Sequence, residues 1–253
     1  MTLGDGDILR HHGIMHRSIA RPRRTVAWLV ACVVTFAFPV ARAELPPGLI
    51  GSERYRLPTT RPVVALTFDA GSNGDGVRSI LATLRARDAR ATFFLTGRFA
   101  RSFPNRSQRM AHYPIGNHTD THPHLPDLPD VEIRRELNRA QRSIVSVTGR
   151  DPHPLFRFPY GDGSDRALRI ANELGYASMR WSVDSLGWLG RDGGRTRAST
   201  VARVLDALAP GAIILMHVGS APDGSMLDAA ALPEILDGIE ARGYRTTVLS
   251  AWV

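Results

Sequence analysis

Short apolar runs alternate along this chain with longer stretches in which apolar positions recur every three or four residues. "VVALTFD" (63–69) is apolar at four of its first five positions and reads as a buried strand. "GVRSILATLRARD" (76–88) places Val77, Ile80, Leu81 and Leu84 on one helical face. "ATFFLT" predicts a second strand, and a looser helical pattern over 106–112 leads into "YPIGNHT". "PDVEIRRELNRAQRSIVSVTG" predicts a long helix, with Asp130 as its N-cap and Gly149 closing it. The alternation continues with "PLFRFPYG" (strand into turn), "SDRALRIANELG" (helix capped by Ser164) and "ASMRWSVD" (strand). "STVARVLDALAPG" (helix), "AIILMH" (strand), "ALPEILDGIEARG" (helix) and "YRTTVLS" (strand) complete it. About seven βα units in unbroken succession predict one α/β domain whose parallel sheet closes as a barrel.

The pattern changes at the N-terminus. There a basic "RSIARPRR" precedes an apolar run of 16 residues, "TVAWLVACVVTFAFPV", and then "ARA". The run is short for a membrane span, and small residues stand where a signal peptidase would cut. Residues 1–43 are therefore expected to be a leader cleaved after Ala43, sending the protein to the periplasm or the extracellular space. An uncleaved leader would be the chain's only membrane contact. The single cysteine, Cys32, lies inside it, so the mature chain could form no disulfide. A Pro/Gly-rich lead-in covers 44–60, and the barrel domain covers 61–253.

Composition narrows the partners. Apolar residues make up 43% and charged residues 22%, enough for a sizeable core. The net charge of +8 is shared between the leader (six Arg, two Asp) and the remainder (26 Arg, 22 acids). No arginine run or aromatic–basic stripe points to nucleic acid. The modest positive excess suits an anionic polymer such as a cell wall, or is simply a solvated surface.

Ionisable residues gather just after the predicted strands: Asp69, His118 with His122, Arg157 with Tyr160, Asp184 and His217. In a parallel barrel all strand C-termini share one face, so these distant positions can line one pocket. The His-x3-His spacing of "NHTDTH" can aim two imidazoles at one divalent cation, or can be an ordinary histidine pair. Arg157 in "FRFPYG" can hold a carboxylate ionised, or be a structural ion-pair partner. The turn after Pro159 can offer a backbone N–H to an oxyanion. His217, at the end of an apolar strand, is either a core histidine or a general acid. "WSVDSLGW" adds Trp181, Asp184 and Trp188, where aromatics either stack on sugar rings or fill the core.

Taken in order, "TFDAG", "NHTDTH", "FRFPYG", "WSVDSLGW" and "IILMH" resemble the five motifs of the polysaccharide deacetylase (NodB homology) domain, carbohydrate esterase family 4. The resemblance runs from about residue 61 to 253. It implies a distorted (β/α) barrel that removes N- or O-acetyl groups from a polysaccharide with a divalent metal. Zn²⁺ is the expected ion, with Co²⁺ or another first-row ion as alternative. The matching positions make Asp69 the general base, His118 and His122 metal ligands, and Arg157 the residue that positions the base. Tyr160 would supply the oxyanion N–H, His217 the general acid, and Leu215 the wall of an acetyl-methyl pocket. Trp181 and Asp184 are the candidate substrate contacts.

Two departures accompany the resemblance. The first motif normally carries a second acid that ligates the metal, where this chain has Ala70. The fourth carries an acid that tunes the catalytic histidine, where this chain has Gly187. Three accounts remain open for the missing ligand. Asp69 approaches the metal with waters completing the shell, or Asp75 reaches back from the glycine-rich loop, or the site is degenerate and only binds glycan. The expected activity is deacetylation of peptidoglycan or another N-acetylglucosamine polymer by an exported enzyme. Acetylxylan or another O-acetyl ester is the alternative substrate.

Overall fold

In the computed structural model, which describes residues 45–253, strand β2 (Val63–Ala70) is the centre of a nine-stranded sheet. The predicted leader, 1–43, with its cleavage site and Cys32, lies outside the described residues. Every residue of β2 from Val64 to Ala70 is buried. A strand covered on both faces needs a continuous apolar run, which is what "VVAL" supplies. It pairs in parallel with β3 (Thr92–Leu95) on one side and β8 (Ile213–His217) on the other. Near its start it also pairs with β9 (Arg245–Thr247).

The remaining strands are β1 (Glu53–Arg54), β4 (Ile115–Asn117), β5 (Leu155–Phe156), β6 (Ala177–Met179) and β7 (Val183–Asp184). The order across the sheet is β1-β6-β5-β4-β3-β2-β8-β7. The predicted single strand "ASMRWSVD" is thus two strands. β6 pairs with β1 and β5, whereas β7 pairs with β8 near the opposite edge. Only residues 180–182 join them, and so short a link spans at most about 14 Å. The sheet must therefore curl until its edges face each other. Arg180 N–H donates to Arg54 O (2.9 Å) and Ser182 N–H to Ile213 O (3.0 Å), tying the link to both edges. This split, and the short strand β1, raise the count from the expected seven.

The lead-in segment is part of this closure. Leu57 N–H donates to Gly211 O at 2.8 Å, and Arg56 forms an antiparallel bridge with Ala212. Leu45, Leu49 and Leu57 pack with Ala65, Phe94, Leu155, Met179 and Ile213 in one buried cluster. The stretch is polar and Pro/Gly-rich overall, but its three leucines are spent on the core.

The helices follow their apolar faces. α1 (Val77–Ala86) buries Val77, Ile80, Leu81 and Leu84, as the periodicity predicts. The looser pattern over 106–112 is α3 (Pro104–Met110); a further helix that the pattern did not predict, α2 (Gly97–Ser102), precedes it, and the two are broken where Phe103 precedes a proline and leaves the helical region. α4 (Asp130–Thr148) ends on left-handed Gly149 (φ 68°). Its Asp130 is the first helical residue rather than the cap, and accepts from Arg166 Nη1 at 2.8 Å. Ser164 does cap α5 (Asp165–Glu173), accepting from Ala167 N–H. Thr196 and Ser199 cap α6 (Arg197–Asp206) reciprocally. α7 (Leu227–Ala241) starts four residues before the predicted Ala231. Among the described residues no helix is long and apolar enough to cross a membrane.

If the lead-in belongs to the cooperative core, Leu57→Ala should lower unfolding stability by about 2–4 kcal/mol, the usual cost of truncating a buried leucine. Urea denaturation of the two proteins checks this; an unchanged midpoint would place residues 45–57 outside the folding unit.

Candidate active site

Because the pairings are parallel, the C-terminal ends of the strands open onto one rim. β2 delivers Asp69 there, and β8 delivers His217 directly opposite it in register. His118 follows β4, Arg157 follows β5, and Asp184 ends β7. These residues, with His122, Tyr160, Trp181 and Leu215, line a cleft of about 500 Å³. Arg157 is the exception that stays beneath it, wholly buried. All nine sequence-predicted site residues therefore converge, eight on the cleft wall and one under its floor.

Arg157 organises that floor. Its Nη1 donates to Asp69 Oδ1 (2.7 Å), its Nε to Met179 O (2.9 Å) and its Nη2 to Arg180 O (3.2 Å). The guanidinium also stacks over Phe94, 4.2 Å from the ring centre. A planar, always-charged group with several fixed donors can satisfy all of these at once. Asp69 Oδ2 is left to face His118 Nε2 at 3.4 Å. Burial alone would raise the Asp69 pKa, but the charges of Arg157, His118 and His217 and the Arg157 hydrogen bond outweigh it and hold the carboxyl below its ordinary value. The group is an ionised carboxylate at neutral pH.

The histidines fall into two kinds. Burial pushes the His118 pKa down, as Asp69 and the hydrogen bond to Arg157 O only partly oppose it. Burial, then the neighbouring His118, brings His122 down to about 4. Both are neutral imidazoles near pH 7. His217 moves the other way. Burial lowers it, but Asp228 and then Asp69 and Asp184 overcome that and raise the net value. Its protonated form therefore survives to higher pH than an ordinary histidine's and is lost only as pH rises through the raised value.

Backbone strain concentrates around the cleft. Among the described residues five non-glycine positions have positive φ, and four of them sit in motif loops: Thr119 (66°), His122 (66°), Tyr160 (58°) and Leu186 (57°). Such conformations cost about 1–3 kcal/mol each and persist where the surroundings enforce them. Thr119 Oγ1 accepts from His122 N–H (3.0 Å), and Glu136 accepts from the N–H groups of Asp120 and Thr121. Both fix the loop that carries His122. Tyr160 lies between His122 (centroids 4.5 Å apart) and His124 (4.0 Å, stacked).

The donor set suits a divalent cation at two positions. His118 Nδ1 lies 2.9 Å from Arg157 O, a carbonyl that can only accept, so Nδ1 carries the proton and Nε2 keeps its lone pair. The His122 ring stands 4.7 Å away at 78°. No third ligand completes a triad: among the described residues no three His, Cys, Asp or Glu side chains form a metal-holding group. Ala70 packs into the hydrophobic core between sheet and helices. The reach-back account for Asp75 is corrected by the structure. Its carboxylate accepts from Ser220 Oγ (2.8 Å), faces Arg106 (3.6 Å) and does not line the cleft. It helps Asn73 pin the loop after β2 to the loop after β8. Asp69, 3.4 Å from the His118 donor atom, is the remaining carboxylate beside the pair.

Asp184 is turned into its own loop, where Oδ1 accepts from Leu186 N–H (2.8 Å) and Oδ2 stands 3.5 Å from Trp188 Nε1. The sequence reading missed Asp228. This residue of α7 is only 3% exposed, accepts from His217 N–H at 2.8 Å, and stands 3.7 Å from His217 Nδ1. Its sequence signal was an acid just ahead of an apolar helical run, the usual mark of a helix start.

A carboxylate and a histidine side by side on adjacent strands, with two neutral imidazoles near them, line one cleft on the rim of a curled parallel sheet. The profile of the polysaccharide deacetylase family matches residues 56–179. A chitooligosaccharide deacetylase of Azorhizobium caulinodans is 32% identical over 200 residues, covering 75% of this chain and 93% of the relative. A peptidoglycan-N-acetylglucosamine deacetylase of Bacillus cereus is 34% identical over 196 residues, covering 76% and 68%. Among solved structures, a family 4 carbohydrate esterase pseudoenzyme from Bacillus anthracis superposes with a TM-score of 0.73 at 26% identity, covering 80% and 69%. A mutant of that pseudoenzyme with restored enzymatic activity has the same TM-score at 27% identity. The chain belongs to the polysaccharide deacetylase family, carbohydrate esterase family 4. It is a glycan deacetylase by that membership, a hydrolase on an α/β NodB-type fold.

Replacing Arg157 by leucine should cost about 3–5 kcal/mol of stability, because Asp69 is left buried with its main countercharge gone. The Asp69 pKa should rise, since the burial penalty then goes largely unopposed. Chemical denaturation and a carboxyl ¹³C NMR titration check the two effects; a variant of unchanged stability would remove Arg157 from its organising place.

Proposed function

We propose that the protein is an exported, metal-dependent deacetylase of N-acetylated glycans, acting on peptidoglycan or another N-acetylglucosamine polymer. The observation that carries this reading is the pairing of Asp69 and His217. They stand opposite in register, with the first shifted toward its ionised form and the second toward its protonated form. Opposed shifts of this kind separate a base from an acid within one site. The relatives named above as chitooligosaccharide and peptidoglycan deacetylases support the substrate class.

His118 Nε2 and His122 would hold a divalent cation, with Asp69 Oδ2 or solvent beside them; two imidazoles suit Zn²⁺. When bound, such an ion polarises an acetyl carbonyl and acidifies water. The chain's own groups do the rest. Asp69, oriented by Arg157, takes a proton from the attacking water. The Tyr160 N–H, in its left-handed turn, would donate to the developing oxyanion. His217 gives its proton to the departing nitrogen as the C–N bond breaks, leaving acetate and a free amine. Leu215 bounds the space for the acetyl methyl, and Trp181 offers a face to a sugar ring. Export rests on the leader pattern in residues 1–43.

Purified protein should release acetate from acetylated chitooligosaccharides or peptidoglycan, and a chelator should abolish it until Zn²⁺ or Co²⁺ is restored. Asp69→Asn should lower turnover by roughly 10²–10⁴-fold, the usual worth of a general base. Acetate released only from acetylxylan would make the enzyme an O-acetyl esterase. No chelator-sensitive acetate from any of these would leave a glycan-binding protein.

A further inference from the structure

Gly187 and Asp228 occupy one volume. A Cβ built at Gly187 would lie 2.3 Å from Asp228 Oδ1 and 2.7 Å from its Cγ, well inside contact distance. Gly187 is not held in the left-handed region, so its backbone does not demand glycine. What demands it is the carboxylate that fills the side-chain space. That carboxylate arrives from another element, the first turn of α7, where the helix N-terminus favours a negative charge.

The carboxylate is not fully used by the fold. Asp228 Oδ2 takes the His217 N–H, but Oδ1 is buried without a hydrogen-bond partner. His217 Nδ1 is likewise buried without a hydrogen-bond partner, 3.7 Å from Asp228 Oδ2. A buried imidazole nitrogen without a partner, 3.7 Å from an incompletely satisfied buried carboxylate, is costly unless the two groups serve each other. A small rotation of the ring brings Nδ1–H onto the carboxylate. With Nδ1–H held there, Nε2 is the nitrogen left for the cleft that His217 lines.

We infer that Asp228 is the positioning residue of His217, fixing its ring and its charge from helix α7 through the space that Gly187 leaves open. The inference rests on the proposed acid role of His217, but its steric half stands apart from it. Asp228 does not touch substrate; it acts through the imidazole.

A set of variants tests both halves. Asp228→Asn keeps an oxygen to accept the His217 N–H but removes the charge. It should retain thermal stability, lower kcat roughly ten- to hundredfold and leave KM within about twofold, as loss of a group that holds a catalytic imidazole does. A purely structural aspartate would tolerate this change with kcat intact, which would overturn the inference. Gly187→Asp alone should destabilise the protein and abolish activity, since two carboxylates then claim one site. Gly187→Asp in an Asp228→Gly background should recover both, the acid having been moved to the facing element. Absence of coupling in the melting temperatures of these variants would refute the shared volume whether or not the enzyme turns over. A wild type that releases no acetate would count against the proposed function, with that thermal cycle still deciding the placement of the carboxylate.

Discussion

The buried pair of Arg157 and Asp69 is the constraint on which the site depends. A charged guanidinium with no exposure is tolerable only if its donors and its charge are matched, and here three strands contribute to the match. β2 supplies the carboxylate, β5 leads into the arginine, and β6 with the link after it supplies two carbonyls. The Arg157 carbonyl then receives His118 Nδ1, fixing that imidazole's tautomer. One residue thus sets the ionisation of Asp69 and the free nitrogen of His118. The same link carries the chain from one edge of the sheet to the other, so barrel closure and site geometry are one event.

This coupling explains why the alternating pattern made the architecture readable while leaving its closure hidden. "VVALTFD" and "IILMH" are long apolar runs because β2 and β8 are covered on both faces, and they were legible as strands. The split of "ASMRWSVD" was not, since Trp181, apolar between Arg180 and Ser182, carries the strand-like alternation straight through the link. Only the pairing partners, Arg54 on one side and Ile213 on the other, separate the two halves. The lead-in misled for the opposite reason. Its prolines and glycines dominate the composition, whereas three leucines at irregular spacing do the packing.

The site was legible to the extent that each group follows a strand in sequence. Asp69, His118, Arg157, Tyr160, Asp184 and His217 all do, so the parallel topology brought them together once the strands were recognised. Asp75 could be tested only by direction. It lies in the expected loop, but its carboxylate is committed to Ser220 and faces Arg106. Asp228 belongs to neither category. It is on a helix, eleven residues beyond His217, and reaches the imidazole because α7 begins with its first turn over the end of β8. No one-dimensional pattern marks that approach.

A missing acid in a motif is therefore ambiguous evidence of decay. At position 70 the replacement is a small apolar residue packed in the core, and no other side chain enters the cleft in its stead. At position 187 the absence of a side chain is filled by a carboxylate from elsewhere, to within bonding contact of where that side chain would be. The two losses are physically different. A decaying site relaxes toward well-packed neutral residues, because orphaned buried charges destabilise the fold. This one keeps a fully buried arginine, an ionised aspartate, four strained loop residues and a second buried aspartate against its histidine. Buried charge and strained backbone are costly in themselves and are tolerated only where their surroundings match or enforce them. Their presence together is the physical argument for the proposed chemistry over a binding scaffold.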